Sequence, residues 1–203
     1  MIAIITGDIV NSQKIVSPHL YLNELTSALS KFGSSPMDWQ IYRGDEFQLQ
    51  LKHPEEAFKA AIYIKSCIKS LPNLDLRMAI GIGSNNYKTD QLIKANGEAF
   101  VYSGGLLDKL KKNKTRLAIK TNNDRFNHIV NLIFQLLSRE TDNWSTNQAN
   151  LVKKLIENEN QSQDELAVIM GISQPAISKG LHRSAFHHIV SSDNLYRSEL
   201  KLI

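Results

Sequence analysis

The chain has 203 residues, of which 42% are hydrophobic and 22% charged. These are ordinary values for one large or two small globular domains, and they exclude collagen, coiled coil and wholesale disorder. Lys and Arg outnumber Asp and Glu by 24 to 20, a net charge of +4 that suits an anionic partner without requiring one. The single cysteine, Cys67, rules out an internal disulfide. No apolar stretch nears the roughly 18–20 residues of a membrane span. The opening residues reach Asp8 after a short apolar run with no basic leader. A cytoplasmic protein without membrane contacts is expected.

In chain order, Ile2 to Thr6 reads as a buried strand. Ser17-Pro18 starts a helix carrying Leu22, Leu25, Leu29 and Phe32. Trp39–Tyr42 and Phe47–Leu51 flank the turn residues Arg43-Gly44-Asp45-Glu46 and read as a hairpin. Pro54 opens a second helix, with Ala57, Ala61, Ile64 and Ile68 at helical spacing and Cys67 among them. Leu74, Leu76, Met78, Ile80 and Ile82 alternate without a break, the strongest strand signal in the chain. A helix from about Ala95 to Lys112 and a strand from Thr115 to Lys120 follow. The order β-α-β-β-α-β, with a further α-β pair, suggests a ferredoxin-like, mostly antiparallel sheet with helices on one face. Trp39 and Trp144 read as core. Gly104-Gly105, in mid-helix, predict a kink or close packing against the sheet.

After Asn123 the periodicity is helical only. The division is therefore residues 1–122, an α+β domain, and 123–203, an all-α domain. Charge differs between the halves: residues 1–123 hold 16 Lys+Arg against 11 Asp+Glu, and residues 124–203 hold 8 against 9. Residues 161–182 are the most specific segment. Ser162 and Glu165 make a capping box. Gly171 supplies a positive φ to end one helix, and Ser173 with Pro175 starts the next. Ile172, Ile177 and Leu181 are expected to pin the second helix to the first. The small Ala167, Gly171 and both caps resemble the helix-turn-helix of bacterial DNA-binding regulators. That resemblance implies base contacts from Ser173, Gln174 and Ser178 and phosphate contacts from Lys179 and Arg183. A structural three-helix bundle that binds no nucleic acid is the alternative. His187-His188 are adjacent, do not share a helix face, and read as exposed rather than metal-binding.

In the first half, Asp8 closes a strand and Asp45 and Glu46 sit at a hairpin tip. If that strand lies beside the hairpin, Asp8 and Asp45 converge at one sheet edge. Two carboxylates about 5 Å apart repel by roughly 3 kcal/mol at an effective dielectric of 20. A Mg²⁺ ion reverses that sign, with the Ile9 carbonyl as a further oxygen ligand. Asn11, Ser12 and Lys14 are placed to hold phosphates of a nucleotide. Glu46 supports the cation or ligates in its place, and Gly97 admits a backbone amide to the ligand. Arg77 faces a phosphate or a carboxylate. Two turn or capping acids with no ligand remain the alternative for Asp8 and Asp45.

Asp8-Ile9-Val10-Asn11-Ser12 resembles the D-I-V-G-S metal motif of class III nucleotidyl cyclases. Arg43-Gly44-Asp45-Glu46-Phe47 is similar to the GGDEF hairpin of diguanylate cyclases, and Met78-Ala79-Ile80-Gly81-Ile82-Gly83 looks like the strand that follows in both. With Gly97-Glu98-Ala99-Phe100 and the C-terminal helices, the whole layout resembles the bacterial SatD-like family. The resemblance implies a cyclase-like palm followed by DNA-binding helices. Two departures weigh against cyclisation. Arg43 replaces the first hairpin glycine, and Val101 to Asp108 lack the Asn and Arg that cyclases carry there. The expected function is a DNA-binding regulator, dimeric, whose palm senses a nucleotide with Mg²⁺. The alternatives are a nucleotidyl cyclase or nucleotidyltransferase, and a degenerate palm that serves only dimerisation.

Overall fold

The computed structural model describes residues 1–14, 17–42, 44–85, 91–92 and 95–203, without the side chain of Lys14. The N-terminal apolar run forms β1, Ile2–Val10, four residues longer than expected at its C-terminal end. It lies in the middle of a five-stranded sheet with β2 (Trp39–Tyr42), β3 (Glu46–Leu51), β4 (Asp75–Gly83) and β5 (Leu117–Lys120), in the order β2-β3-β1-β4-β5. Strands on both sides satisfy its backbone, so Thr6 and Asp8 stay in the sheet despite being polar. All pairs are antiparallel except β4–β5, which is parallel.

Alternation along these strands decides the layers. Ala3, Ile5, Phe47, Leu49, Leu76, Met78 and Ile80 share one face and one core with α1 (His19–Ser30), α2 (Ala57–Lys69) and α4 (Asp124–Thr141). The opposite face is covered by α3, Glu98–Asn113, with small clusters around Ile4–Ala99 and Ala79–Leu107. Helices on one face only, as expected from the sequence, is therefore incorrect. The signal lay in the small residues of β4. A Cβ at Gly81 would sit 2.1 Å from the Ala99 carbonyl oxygen and 2.6 Å from the Ser103 nitrogen, so the backbone of α3 rests directly on the strand. Gly104 and Gly105 are not the packing glycines: a Cβ on either meets nothing within 4 Å.

The outer edge of β5 is closed by side chains of α4. Asn131 accepts from Ile119 N and donates to Ile119 O, both at 2.9 Å, and Asn127 does the same for Thr121 at 2.7 and 3.0 Å. One turn apart, the two amides stand in for a further strand and blunt an edge that would otherwise invite pairing.

Beyond α4 come α5 (Thr146–Glu157), α6 (Gln163–Met170), α7 (Gln174–Arg183) and α8 (Phe186–Leu200). The main core runs across residue 123 without interruption, from the sheet through Phe126, Val130 and Phe134 to Trp144, Ile189 and Tyr196. Phe58 of α2 stacks on Phe134 of α4 at 5.4 Å, and the Tyr196 hydroxyl of α8 donates to the Pro54 carbonyl. A buried ion cluster makes a second link. Lys65 of α2 donates at 2.8 Å both to Asp75 of β4 and to Asp142 just past α4. In this part of the chain Leu151, Leu166, Ala167, Ile177 and Leu181 form a cluster of their own, which binds α6 and α7 to α5. Among the described residues no helix is long and apolar enough to cross a membrane.

Candidate functional site

At one end of the sheet, strand register lines up charges on the face that α3 covers. Asp8 stands opposite Glu46 of β3 and Arg77 of β4. Arg77 donates through Nη1 to both Asp8 oxygens, at 2.8 and 3.2 Å. α3 runs back along the sheet and brings Lys111 onto Glu46 at 2.8 Å. Burial pushes the Asp8 carboxyl above the usual aspartate range; Arg77 and Lys111 oppose that rise, and the charge of Asp45 adds to it. Burial works to lower Lys111, but its hydrogen bond to Glu46 and the charges of Asp8 and Glu46 prevail and hold its ammonium above the ordinary lysine value.

Asp45 precedes β3 and borders the same corner. Its carbonyl accepts from Ile9 N at 3.0 Å, and its carboxylate accepts from the Ser12 hydroxyl at 2.7 Å. Asn11 makes that contact possible. Its φ of +68° lies in the left-handed region, which asparagine tolerates better than most side chains, and the turn swings Ser12 back toward the hairpin. The structure thus gathers Asp8, Ile9, Asn11, Ser12, Asp45 and Glu46 at one corner. Gly97 is not among them. It lies at the far end of α3, where Glu98 bonds Ser84 beyond β4, roughly 20 Å from Arg77 at 3.3–3.4 Å per strand residue. The Gly97 amide is also taken by the Asn96 side chain at 2.8 Å. The side chain of Lys14 and the whole of Arg43 lie outside the described residues.

Among the described residues no three His, Cys, Asp or Glu side chains are grouped to hold a metal ion. The corner offers instead two carboxylates and backbone oxygen, a set that fits Mg²⁺ when phosphate oxygens complete it. The chemistry a cation would supply there is neutralisation of phosphate charge. A polar strip leads away from the charged end: Thr6 donates to Ser103 at 2.9 Å, Gln48 donates to Thr6 at 3.3 Å, and Asn85 donates to Gln50 at 3.2 Å. Sequence reasoning missed Lys111 and this strip. The glutamines at positions 48 and 50 were visible as the polar face of a strand. Lys111 could be found only from the length of α3, which at 1.5 Å per residue spans about 24 Å and so reaches back to Asp8.

The second cluster of candidates lies on α6 and α7. Ser162 and Glu165 form the capping box in both directions, and Gly171 ends α6 with φ +65°. Ser173 caps α7 by backbone position, with no hydrogen bond from its side chain. Ile177 and Leu181 are buried, whereas Ile172 is 44% exposed and does not pin the helices as expected. Gln174 is half-buried and donates to Gln163 of α6 at 2.7 Å, which ties the two helices together. Ser173, Ser178, Lys179, His182 and Arg183 are exposed. At 100° per residue Lys179 lies nearly opposite Ile177, at the centre of the outward face. His187 and His188 are exposed at the start of α8.

These features define a mixed α+β protein with a five-stranded sheet, a charged corner on β1, and a capped pair of short helices carried on its far side. The chain belongs to the SatD family, whose model matches residues 1–194. No curated protein and no solved structure matches it.

Proposed function

We propose that this chain is a DNA-binding regulatory protein, with α6 and α7 as a helix-turn-helix and the ferredoxin-like, cyclase-like sheet half as a sensor of a nucleotide with Mg²⁺. The observation that carries the reading is the outward face of α7. It is free of acid, bears Lys179, His182 and Arg183, and is covered by no other described element. A helix so placed enters a major groove with Ser178 and Ser173 toward base edges and Lys179 and Arg183 toward phosphates. Gln174 contributes through the α6–α7 link and offers only its remaining amide atoms to a base. Two basic side chains bind weakly alone, so two-fold pairing on half-sites about 34 Å apart supplies the affinity. In the sensor, Asp8, Asp45 and the Ile9 carbonyl hold the cation, and Ser12 and Asn11 hold phosphates, with Glu46 supporting through Lys111.

The test is fluorescence anisotropy on duplex DNA at about 50 mM salt, a range in which non-specific affinity remains measurable. Binding that is lost on Lys179→Ala with Arg183→Ala supports the reading. No binding with or without ATP or GTP and Mg²⁺ would sink it and leave α6–α7 as a structural bundle.

A second reading, a nucleotidyl cyclase or nucleotidyltransferase, draws on Lys111, a cation from α3 that can face phosphates. Val101 to Asp108 hold neither the Asn nor the Arg that cyclases carry there, and positioning supplies much of the rate in phosphoryl transfer. Turnover of ATP or GTP above about 0.1 s⁻¹, slow beside the roughly 1–10³ s⁻¹ of typical enzymes, would establish the enzyme instead.

A further inference from the structure

The pairing of Asp8 has a bearing on how ligands enter. We propose that Arg77 gates the cation site: without nucleotide its guanidinium occupies Asp8 and excludes a divalent ion, and a nucleotide's phosphate oxygens draw it off, so that cation and nucleotide bind together or not at all. The proposal rests on the nucleotide–Mg²⁺ reading given above.

Three observations support it. Both oxygens of Asp8 lie within hydrogen-bond distance of Arg77 Nη1, so the carboxylate that a cation needs already has a positive partner. Strand register fixes that contact, since Asp8 and Arg77 are direct cross-strand neighbours, and their side chains are 13% and 14% exposed. A divalent ion arriving at Asp8 meets a guanidinium that water screens poorly. Finally, Arg77 is incompletely satisfied where it stands. Its Nε is buried and has no hydrogen-bond partner among the described residues. A buried donor left unpaired costs free energy that an added acceptor recovers. Phosphate oxygens suit that role, because a guanidinium presents its donors as a planar fork that phosphate matches. The exchange conserves pairing: Arg77 passes from carboxylate to phosphate, and Asp8 passes from Arg77 to the cation.

The neighbouring pair does not gate in this way. Lys111 lies on Glu46, the supporting or alternative ligand, and its flexible ammonium is more exposed, at 35%. Asp45 is held by a neutral hydroxyl, which a cation displaces without charge repulsion. Arg77 is therefore the described cation that stands on Asp8, one of the two principal ligands.

The test uses the full chain and Mn²⁺ as the probe, read by the enhancement of water-proton relaxation when the ion tumbles with the protein. Wild type should show no enhancement with Mn²⁺ alone and clear enhancement when ATP or GTP is added. Arg77→Met should bind Mn²⁺ without nucleotide, about tenfold or more tighter than wild type, a difference of about 1.4 kcal/mol. Arg77→Gln serves if the first variant fails to fold by circular dichroism. Wild type that binds Mn²⁺ alone as tightly as the variant overturns the gate and leaves the cation site standing. So does a folded variant that still needs nucleotide. Absence of enhancement in every arm, nucleotide included, overturns the site reading itself and the gate with it.

Discussion

Close contacts at single residues give the sharpest expectations. A methyl group at Gly81 would collide with backbone atoms of α3, which cannot rotate away as a side chain would. Overpacking of this kind typically costs 1–3 kcal/mol, so Gly81→Ala should destabilise the fold by about 3 kcal/mol in urea denaturation. Gly104→Ala, facing open space, should be neutral or slightly stabilising in the same experiment. Glu157 makes a pH-dependent contribution. Burial works to raise its pKa, but hydrogen bonds from Lys154 and Tyr63 outweigh burial and hold the carboxyl below the usual glutamate range. A depressed acid stabilises the fold above its unfolded pKa, and that stability is lost as pH falls through the folded value. Glu157→Gln should therefore flatten the decline of thermal stability below about pH 4.5 while changing little of its slope near neutrality. The residues of the Asp8 corner were legible because acids after apolar runs stand out in a sequence. Their partners were not. Which cation meets which carboxylate depends on strand register, and no periodicity reports the offset between β1 and β4.

At the scale of elements, the strands were read well because alternation is a direct record of two faces. Their ends were read less well. β1 continues past Thr6 because neighbours on both sides pair with it, a fact of topology rather than of composition. The placement of α3 on the second face was written in Ala79, Gly81 and Gly83, residues too small to register as a hydrophobic signal. α8 went unassigned since its buried residues, Ile189, Tyr196 and Leu200, are widely spaced among polar ones. α6 and α7 were found nearly whole, because caps and turn glycines act locally and need no knowledge of the fold. If α7 enters a groove, Lys179→Ala should weaken binding to all duplexes alike and lower the slope of log K against log salt by about one unit, measured by anisotropy over a salt series. Ser178→Ala should instead change preference among sequences at an almost unaltered slope.

The molecule as a whole is held by a core that ignores the change of period at residue 123. Calorimetry should therefore record one transition, with calorimetric and van't Hoff enthalpies in agreement, rather than separate events for the sheet and helical parts. Lys65 is the place to weaken that union. Its side chain is 2% exposed and sits between two aspartates. Lys65→Met would leave Asp75 and Asp142 facing one another in a partly dry site, where Lys69 reaches the Asp75 carboxylate and the Asp142 carbonyl and Arg116 reaches Asp75. Removing one partner of a buried pair typically costs 3–5 kcal/mol, and a loss of about 3 kcal/mol is expected by urea denaturation.

That ammonium grips a strand with one bond and the end of a long helix with another, and this has a mechanical consequence. A joint made of two short charge-assisted bonds in a packed surround has no slack to take up. β4 is thereby coupled to the turn at Asp142, and Trp144, two residues on, donates through its indole to the Ser184 carbonyl immediately behind α7. A shift of β4 against the helical part would therefore bear on the position of α7 through this chain of contacts rather than through a flexible tether.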